Sequence, residues 1–215
     1  YFFSAHFFAK FKMQLIELEH VYRQKDQGFI DILNAIRNNS VTDRHLEQLN
    51  KRVEPDYVAP KDDFSIYLVP TNAAAEKLNA QKLDELAGDK MRFEGKLTGS
   101  FTEGQMPTQF DLELKPHAQI MMVNNDLGGR WVNGTLGKVL NFSTNSDGQP
   151  YVRVELESGA SVNIVPYQWK MYQFQLEGNV VTTKTVGTFV QLPMKLAWAI
   201  TIHKSQGKTF NKAVI

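Results

Sequence analysis

The stretch "FSIYLVPTNAAAEKLNAQKLDELAG", Phe64 to Gly88, decides the fold class. It opens with a short apolar run closed by Pro70, too short for a helix and suited to a buried strand. Thr71, a residue type that caps helix N-termini, then starts a helical segment for which Gly88 supplies a stop. A buried strand that feeds directly into a helix is the unit of α/β organisation.

Toward the N-terminus, "MQLIELEHVYRQ" predicts a strand from Met13 to Glu19. "DQGFIDILNAIRNN" places Phe29, Ile32, Leu33 and Ile36 on one helical face, and a second short helix is expected from Thr42 to Asn50. Toward the C-terminus, Leu192, Leu196, Ile200 and His203 recur at spacings of four, four and three, with Pro193 near the start. This spacing predicts a helix that stops at Gly207, and "KAVI" reads as a strand of the same layer.

Between these parts the helical period is lost. From Gln119 to Val190 the runs "QIMMV", "GTLGKVLNFS", "YVRVELE", "SVNIVPYQWKMYQF" and "TTKTVGTFVQL" alternate with turn signals at Asn133-Gly134, Asp147-Gly148 and Gly178-Asn179. Such short strands suggest a small barrel inserted into the α/β domain. Residues 89–118, with three glycines and two prolines, read as an extended connector.

The 215 residues are 42% hydrophobic, enough for a buried core, and a net charge of +1 excludes a broadly basic chain. Any nucleic-acid contact must therefore come from a local cluster. With no cysteine there is no disulfide framework and no thiolate zinc site, and the five histidines show no metal-binding spacing, so no metal site is expected. A reducing compartment is consistent with this. No apolar run approaches a membrane span, and "YFFSAHFFAKFK" is too short and too aromatic for a signal peptide. The chain starts without Met and stops inside a strand-like run, which suggests a piece of a longer polypeptide.

"ITIHKSQGKTF", Ile200 to Phe210, ends in Gly-Lys-Thr, the tail of a phosphate-binding loop. That loop needs a glycine at position 202, which is Ile202, and the helix expected ahead of Gly207 would turn the negative end of its dipole toward a phosphate. Thr201, His203, Lys204 and Ser205 instead offer converging donors suited to a nucleic-acid backbone, with Gln206 able to face a nucleotide in an adjoining cleft. A solvated helix end with a glycine cap explains the same residues. Arg23, past the "LIELE" run, could grip a γ-phosphate through its forked, permanently charged guanidinium, or pair with Asp26. Thr71 and Asn72 could hold a phosphate at a helix N-terminus, or serve as a plain cap. Arg130, Trp131 and Lys138 could form a stacking platform for single-stranded bases, although a tryptophan there is more often core. No general acid and base pair and no Ser/His/Asp spacing is visible.

Taken in order, "LEHVYRQKDQGFIDILNAIRNN", "VPTNAAAEKLN", "LELKPHAQIMMVNND" with "RWVNGTLGKV", and "QLPMKLAWAITIHKSQGKTF" resemble the Pif family of DNA helicases (named for petite integration frequency), members of superfamily 1B. The last segment looks like helicase motif V. The resemblance implies the C-terminal RecA-like motor domain over residues 1–88 and 191–215, interrupted by a connector and an SH3-like barrel over 89–190. It implies that Arg23 is the motif IV arginine that reaches the γ-phosphate and that Gln206 and Gly207 lie near the nucleotide. Thr201, His203, Lys204 and Ser205 would contact DNA, with Thr71 and Asn72 as a second phosphate contact.

The resemblance further implies ATP and Mg2+ in the full-length parent, with none bound by this piece alone. Single-stranded DNA and the missing N-terminal RecA-like domain of the same chain would be its partners, with no membrane involved. It also implies 5′-to-3′ translocation, a role in DNA repair, recombination or telomere maintenance, and a location in the bacterial cytoplasm or the eukaryotic nucleus or mitochondrion. No Walker A sequence, no Walker B pair and no arginine-bearing motif VI is present in these residues, so ATP hydrolysis by them alone is not expected. A stand-alone single-strand-binding module, and an interaction fragment of a decayed helicase, remain as other readings.

Overall fold

The computed structural model describes residues 4, 6–10, 12, 14, 16–17, 24, 26–60, 63–146, 148–178 and 180–215. Arg23 and most of the strand expected from Met13 to Glu19 lie outside the described residues. So do Asp147 and Asn179 of two expected turns. The chain divides into two units, residues 1–57 and 58–215.

The first unit carries a 3-10 turn at His6–Lys10, then α1 (Gln27–Arg37) and α2 (Asp43–Asn50). Asp26 caps α1 by accepting from the Phe29 N–H at 3.1 Å. The expected apolar face is split: Ile32 and Ala35 are buried, while Leu33 and Ile36 remain 45% and 49% exposed. The buried stripe follows the spacing of three, and the two other apolar residues fall to its sides. Thr42 caps α2 as expected, and His45 Nδ1 accepts from the Thr42 N–H at 3.2 Å to close a capping box.

The second unit opens with β1 (Ile66–Val69) and α3 (Asn72–Asp84), capped by Thr71 Oγ1, which accepts from the Ala74 N–H at 3.2 Å. The helix stops at Asp84, four residues before Gly88, whose φ of +90° lies in the left-handed region of the following loop. Strands β2 (Met91–Glu94), β3 (Lys96–Gly99) and β4 (Asp111–Leu114) replace much of the expected connector. Next come β5 (Gln119–Met122), β6 (Leu136–Thr144), β7 (Pro150–Leu156), β8 (Ser161–Ile164), β9 (Tyr167–Glu177) and β10 (Val180–Gln191). The chain ends through β11 (Met194–Leu196), β12 (Ala199–Thr201), the single turn α4 (Ile202–Ser205) and β13 (Ala213–Val214).

The helix expected from Leu192 to His203 is therefore two strands and one helical turn. The residues of Ala197–Thr201 are almost all buried, as in a strand covered on both faces, and β12 finds a parallel partner in β1. The resulting sheet runs β12-β1-β13, so "KAVI" joins the same layer as expected, through Ala213–Val214, and runs parallel to β1. The inserted strands form a five-stranded sheet, β11-β5-β6-β7-β8, and a three-stranded sheet, β3-β10-β9, with β2 and β4 as a separate pair. No closed barrel is found among the described residues. Val165 and Pro166 divide the run that was expected to be one strand, so β9 pairs with β10 and leaves β8 at an edge. Hairpins do turn at Gly148 and Gly178, each in the left-handed region.

Strand β5 is buried at all four positions. Ile120 and Met122 belong to the core of the inserted sheet with Val139, Val152, Val154 and Ile164, whereas Met121 packs with Ile66, Leu136, Ala197 and Ile200. Helix α3 is held to β12 by Asn79, whose Nδ2 donates to the Ala199 carbonyl at 2.9 Å and whose Oδ1 accepts from the Ala199 N–H at 2.8 Å. Both bonds are buried, so Asn79→Ala leaves the Ala199 N–H and carbonyl without these partners. Denaturant unfolding of this variant should show a stability loss of roughly 2–4 kcal/mol, the sum expected for two unmet buried groups.

Candidate functional site

Strands β1 and β12 run parallel and in register, with Val69 opposite Thr201. Their C-terminal ends therefore stand side by side, and each leads into a helix capped by a threonine, Thr71 for α3 and Thr201 for α4. The C-terminal edge of a parallel sheet is where α/β proteins gather ligand-contacting groups. Here it opens into a cleft of about 880 Å³. One wall carries Asn72 and Glu76 of α3, Lys195 of β11, Thr201 of β12 and Lys204 of α4. The opposite wall carries Lys90, Arg92, Asp111 and Glu113, together with the Glu103–Gln109 loop.

The two walls differ in how their charges are met. On the far wall Lys90 bridges Asp84 at 2.9 Å and Glu113 at 3.1 Å, and Arg92 holds Asp111 at 2.6 Å. These partners raise the Lys90 and Arg92 pKa values and lower that of Asp84. On the near wall Lys195 is held down to about 8, first by burial and then by the neighbouring charges of Lys204 and Lys208. Burial also lowers the pKa of Lys208, whose Nζ donates to Asn133 Oδ1 at 2.8 Å. That ammonium lies over Gly134, where an added Cβ would stand 2.9 Å from Nζ. Gly134 also has a φ of +103°, so both the close approach and the backbone favour glycine.

The cleft joins three of the sequence candidates, Asn72, Thr201 and Lys204. Thr201 is buried and its Oγ1 accepts from the Lys204 N–H at 3.3 Å, which fixes the first turn of α4. Thr71 caps α3 beside the cleft without lining it. His203 and Ser205 lie on α4 outside the cleft lining; Ser205 Oγ donates to the Ile202 carbonyl at 2.6 Å. Gln206 and Gly207 follow, exposed, with Gly207 at a φ of +76°. Since Gly207 comes after the helical turn and not before it, the order of elements is not that of a phosphate-binding loop.

Trp131 is core, only 7% exposed, with Nε1 donating to Asn124 Oδ1 at 3.0 Å. Arg130 covers its ring at 4.6 Å and is paired with Asp126 at 2.7 Å, which lowers the Asp126 pKa to about 2. Lys138 stands 5.8 Å from the Phe64 ring. These three do not present a stacking platform. Sequence reasoning missed Lys195, although a lone lysine inside the apolar run "LPMKLAWAI" was a visible signal.

No protein-family profile matches the chain. It is 32% identical over 203 residues to the ATP-dependent DNA helicase Pif1 of Bdellovibrio bacteriovorus, an alignment that takes in 92% of this chain and 43% of that protein. The crystal structure of Bacteroides sp Pif1 in complex with ADP-AlF4 superposes with a TM-score of 0.82 at 32% identity, covering 99% of this chain and 48% of that one. Bacteroides Pif1 bound to ssDNA superposes with a TM-score of 0.67 at 31% identity, again over 99% and 48%. The chain thus spans less than half the length of these relatives.

Lys195 makes stability depend on pH. Its folded pKa lies below the ordinary 10.5, so the unfolded chain binds more protons and the penalty is fully present below about 8. The penalty is relieved as pH rises from about 8 to 10.5. Lys195→Met should accordingly be more stable than the wild type at neutral pH, with the difference shrinking through that window. Urea unfolding of both proteins across the range checks this.

Proposed function

Because the chain belongs to the Pif family of DNA helicases and matches the C-terminal part of its members, we propose that it is the second motor half of an ATP-dependent DNA helicase acting on single-stranded DNA. In this reading residues 1–88 and 191–215 form the RecA-like domain. Residues 89–190 supply the connector and an SH3-like insert, a role supported by their run of antiparallel strands. The observation that carries the proposal is the shared cleft of Asn72, Thr201 and Lys204 at the C-terminal ends of two parallel strands.

Phosphodiester oxygens would accept from the Lys204 ammonium and the Thr201 hydroxyl, and from Ser205 once its hydroxyl turns away from the Ile202 carbonyl. His203 lies on the same turn, and Thr71 and Asn72 supply a second contact at the N-terminus of α3. Backbone contacts of this kind carry no base preference, as a motor that moves along any sequence requires. The direction proposed is 5′ to 3′, and the setting is intracellular: cytoplasmic in a bacterium, nuclear or mitochondrial in a eukaryote.

Among the described residues no three His, Asp or Glu side chains gather closely enough to hold a metal ion. In the family reading Mg2+ and most contacts to ATP belong to a first RecA-like domain of the full-length protein, and no step of hydrolysis is assigned to these residues. Arg23, Gln206 and Gly207 would face the nucleotide from this side.

In the full-length protein, DNA-stimulated ATP hydrolysis and unwinding of a duplex with a 5′ single-stranded tail are the expected activities. Strand binding that persists without DNA-stimulated hydrolysis would make the protein a binding module and overturn the motor reading. Arg23→Ala should lower kcat for ATP by about a thousandfold while leaving single-strand affinity near normal, as loss of an arginine at a γ-phosphate does. Unchanged turnover would remove Arg23 from that role.

A further inference from the structure

Lys195 emerges from β11 between Met194 and Leu196 and enters the cleft beside Thr201 and Lys204. Among the described residues it has neither an ion-pair nor a hydrogen-bond partner. Four carboxylates share the cleft, but Glu113 is taken by Lys90 and Asp111 by Arg92. Glu76 and Glu103 also line it, yet the charges that act on Lys195 are those of Lys204 and Lys208, both positive. An ammonium that is partly withdrawn from water and close to like charge is destabilising unless an anion meets it. Such a group is expected where an anion completes the site. The cleft, at about 880 Å³, lies within the size range of pockets that seat nucleotide-sized ligands.

We propose that Lys195 is a phosphate-binding residue, whose ammonium donates to phosphodiester oxygens of the bound single strand beside those held by Lys204 and Thr201. This rests on the helicase reading and adds a residue to its DNA contact. A nucleotide phosphate offers the same chemistry, and the test separates the two sources. The position also sets a pH signature. The Lys195 pKa of about 8 leaves the free site partly neutral just above neutral pH, and an arriving phosphate draws the ammonium back to its charged form. Binding therefore takes up a proton and weakens as pH rises toward about 9.

The test uses the full-length protein and a fluorescently labelled oligothymidylate, with anisotropy read across salt concentration and pH. Lys195→Met should weaken binding about tenfold at low salt and reduce the slope of log K against log salt by ~0.7, the value for one lost contact to a single strand. Lys195→Arg should restore neutral-pH affinity and remove the weakening at higher pH, because a guanidinium stays charged. A merely structural role would not move either readout. Lys195→Gln serves as a second variant should the methionine protein fail to fold.

An unchanged slope in Lys195→Met, with a reduced slope in Lys204→Ala, would overturn the proposal and leave the helicase reading standing. A raised KM for ATP with strand affinity unaltered would assign Lys195 to the nucleotide and also overturn it. Absence of single-strand binding by the wild type would overturn both.

Discussion

Strand β5 carries the fold because it is the wall between two cores. Its alternating side chains send Ile120 and Met122 into the inserted sheet and Met121 into the α/β layer. Gln119 makes that junction specific: its Nε2 donates to the Ser65 carbonyl at 3.0 Å and to the Ala197 carbonyl at 2.9 Å, and its backbone carbonyl accepts from the Ala197 N–H at 3.0 Å. One buried amide thus joins the approach to β1, the link into β12 and the start of β5. Gln191 acts similarly at the other end of the insert, where Nε2 donates to the Phe93 and Phe110 carbonyls at 2.8 Å each. Pairing β1 with β12 brings together segments far apart in the chain, as the register partners Tyr67 and Ala199 show. The closure entropy of so long a loop grows only slowly with length, so a few well-satisfied buried polar bonds and a shared apolar wall are enough to hold it.

The cleft inherits its shape from this junction and its character from unequal charge pairing. Lys90 and Arg92 spend their charge on neighbouring carboxylates, and that wall is electrostatically closed. Lys195 and Lys204 leave theirs facing the cavity. Lys208 is tied elsewhere, by its bond to Asn133 over Gly134, and so pins the tail of the "HKSQGKT" segment to a turn of the inserted sheet. The Asn133–Gly134 turn thus holds this segment without itself lining the cleft.

Much of this was legible in the sequence because it rests on local chemistry. Thr42 and Thr71 cap their helices, Gly148 and Gly178 turn their hairpins, and the run at Ile66–Val69 is a strand, buried at Ile66 and half-buried beyond it, each set by residues within a few positions. The misread segment from Leu192 to His203 failed for the opposite reason. Its spacing of apolar residues mimics a helix, but partners on β5 and β1, invisible locally, draw it into strands. Closure of the inserted strands was likewise a question of long-range pairing, and Pro166 decided against a join between β8 and β9. Of the residues that line the cleft, Asn72, Thr201 and Lys204 were singled out by their order along the chain, whereas Lys195 lay in an apolar pattern that reads as core.

The register of two strands explains why the legible residues converge. With Val69 opposite Thr201, the caps of α3 and α4 fall at one edge of the sheet, since each helix follows its strand within two residues. A slip of one residue would turn Thr201 to the other face and break the alignment of both helix ends. The Asn79 clamp forbids that slip, because it pairs both polar groups of the Ala199 backbone. Thr71, Asn72, Thr201 and Lys204 are therefore set at one edge of the sheet by a single register.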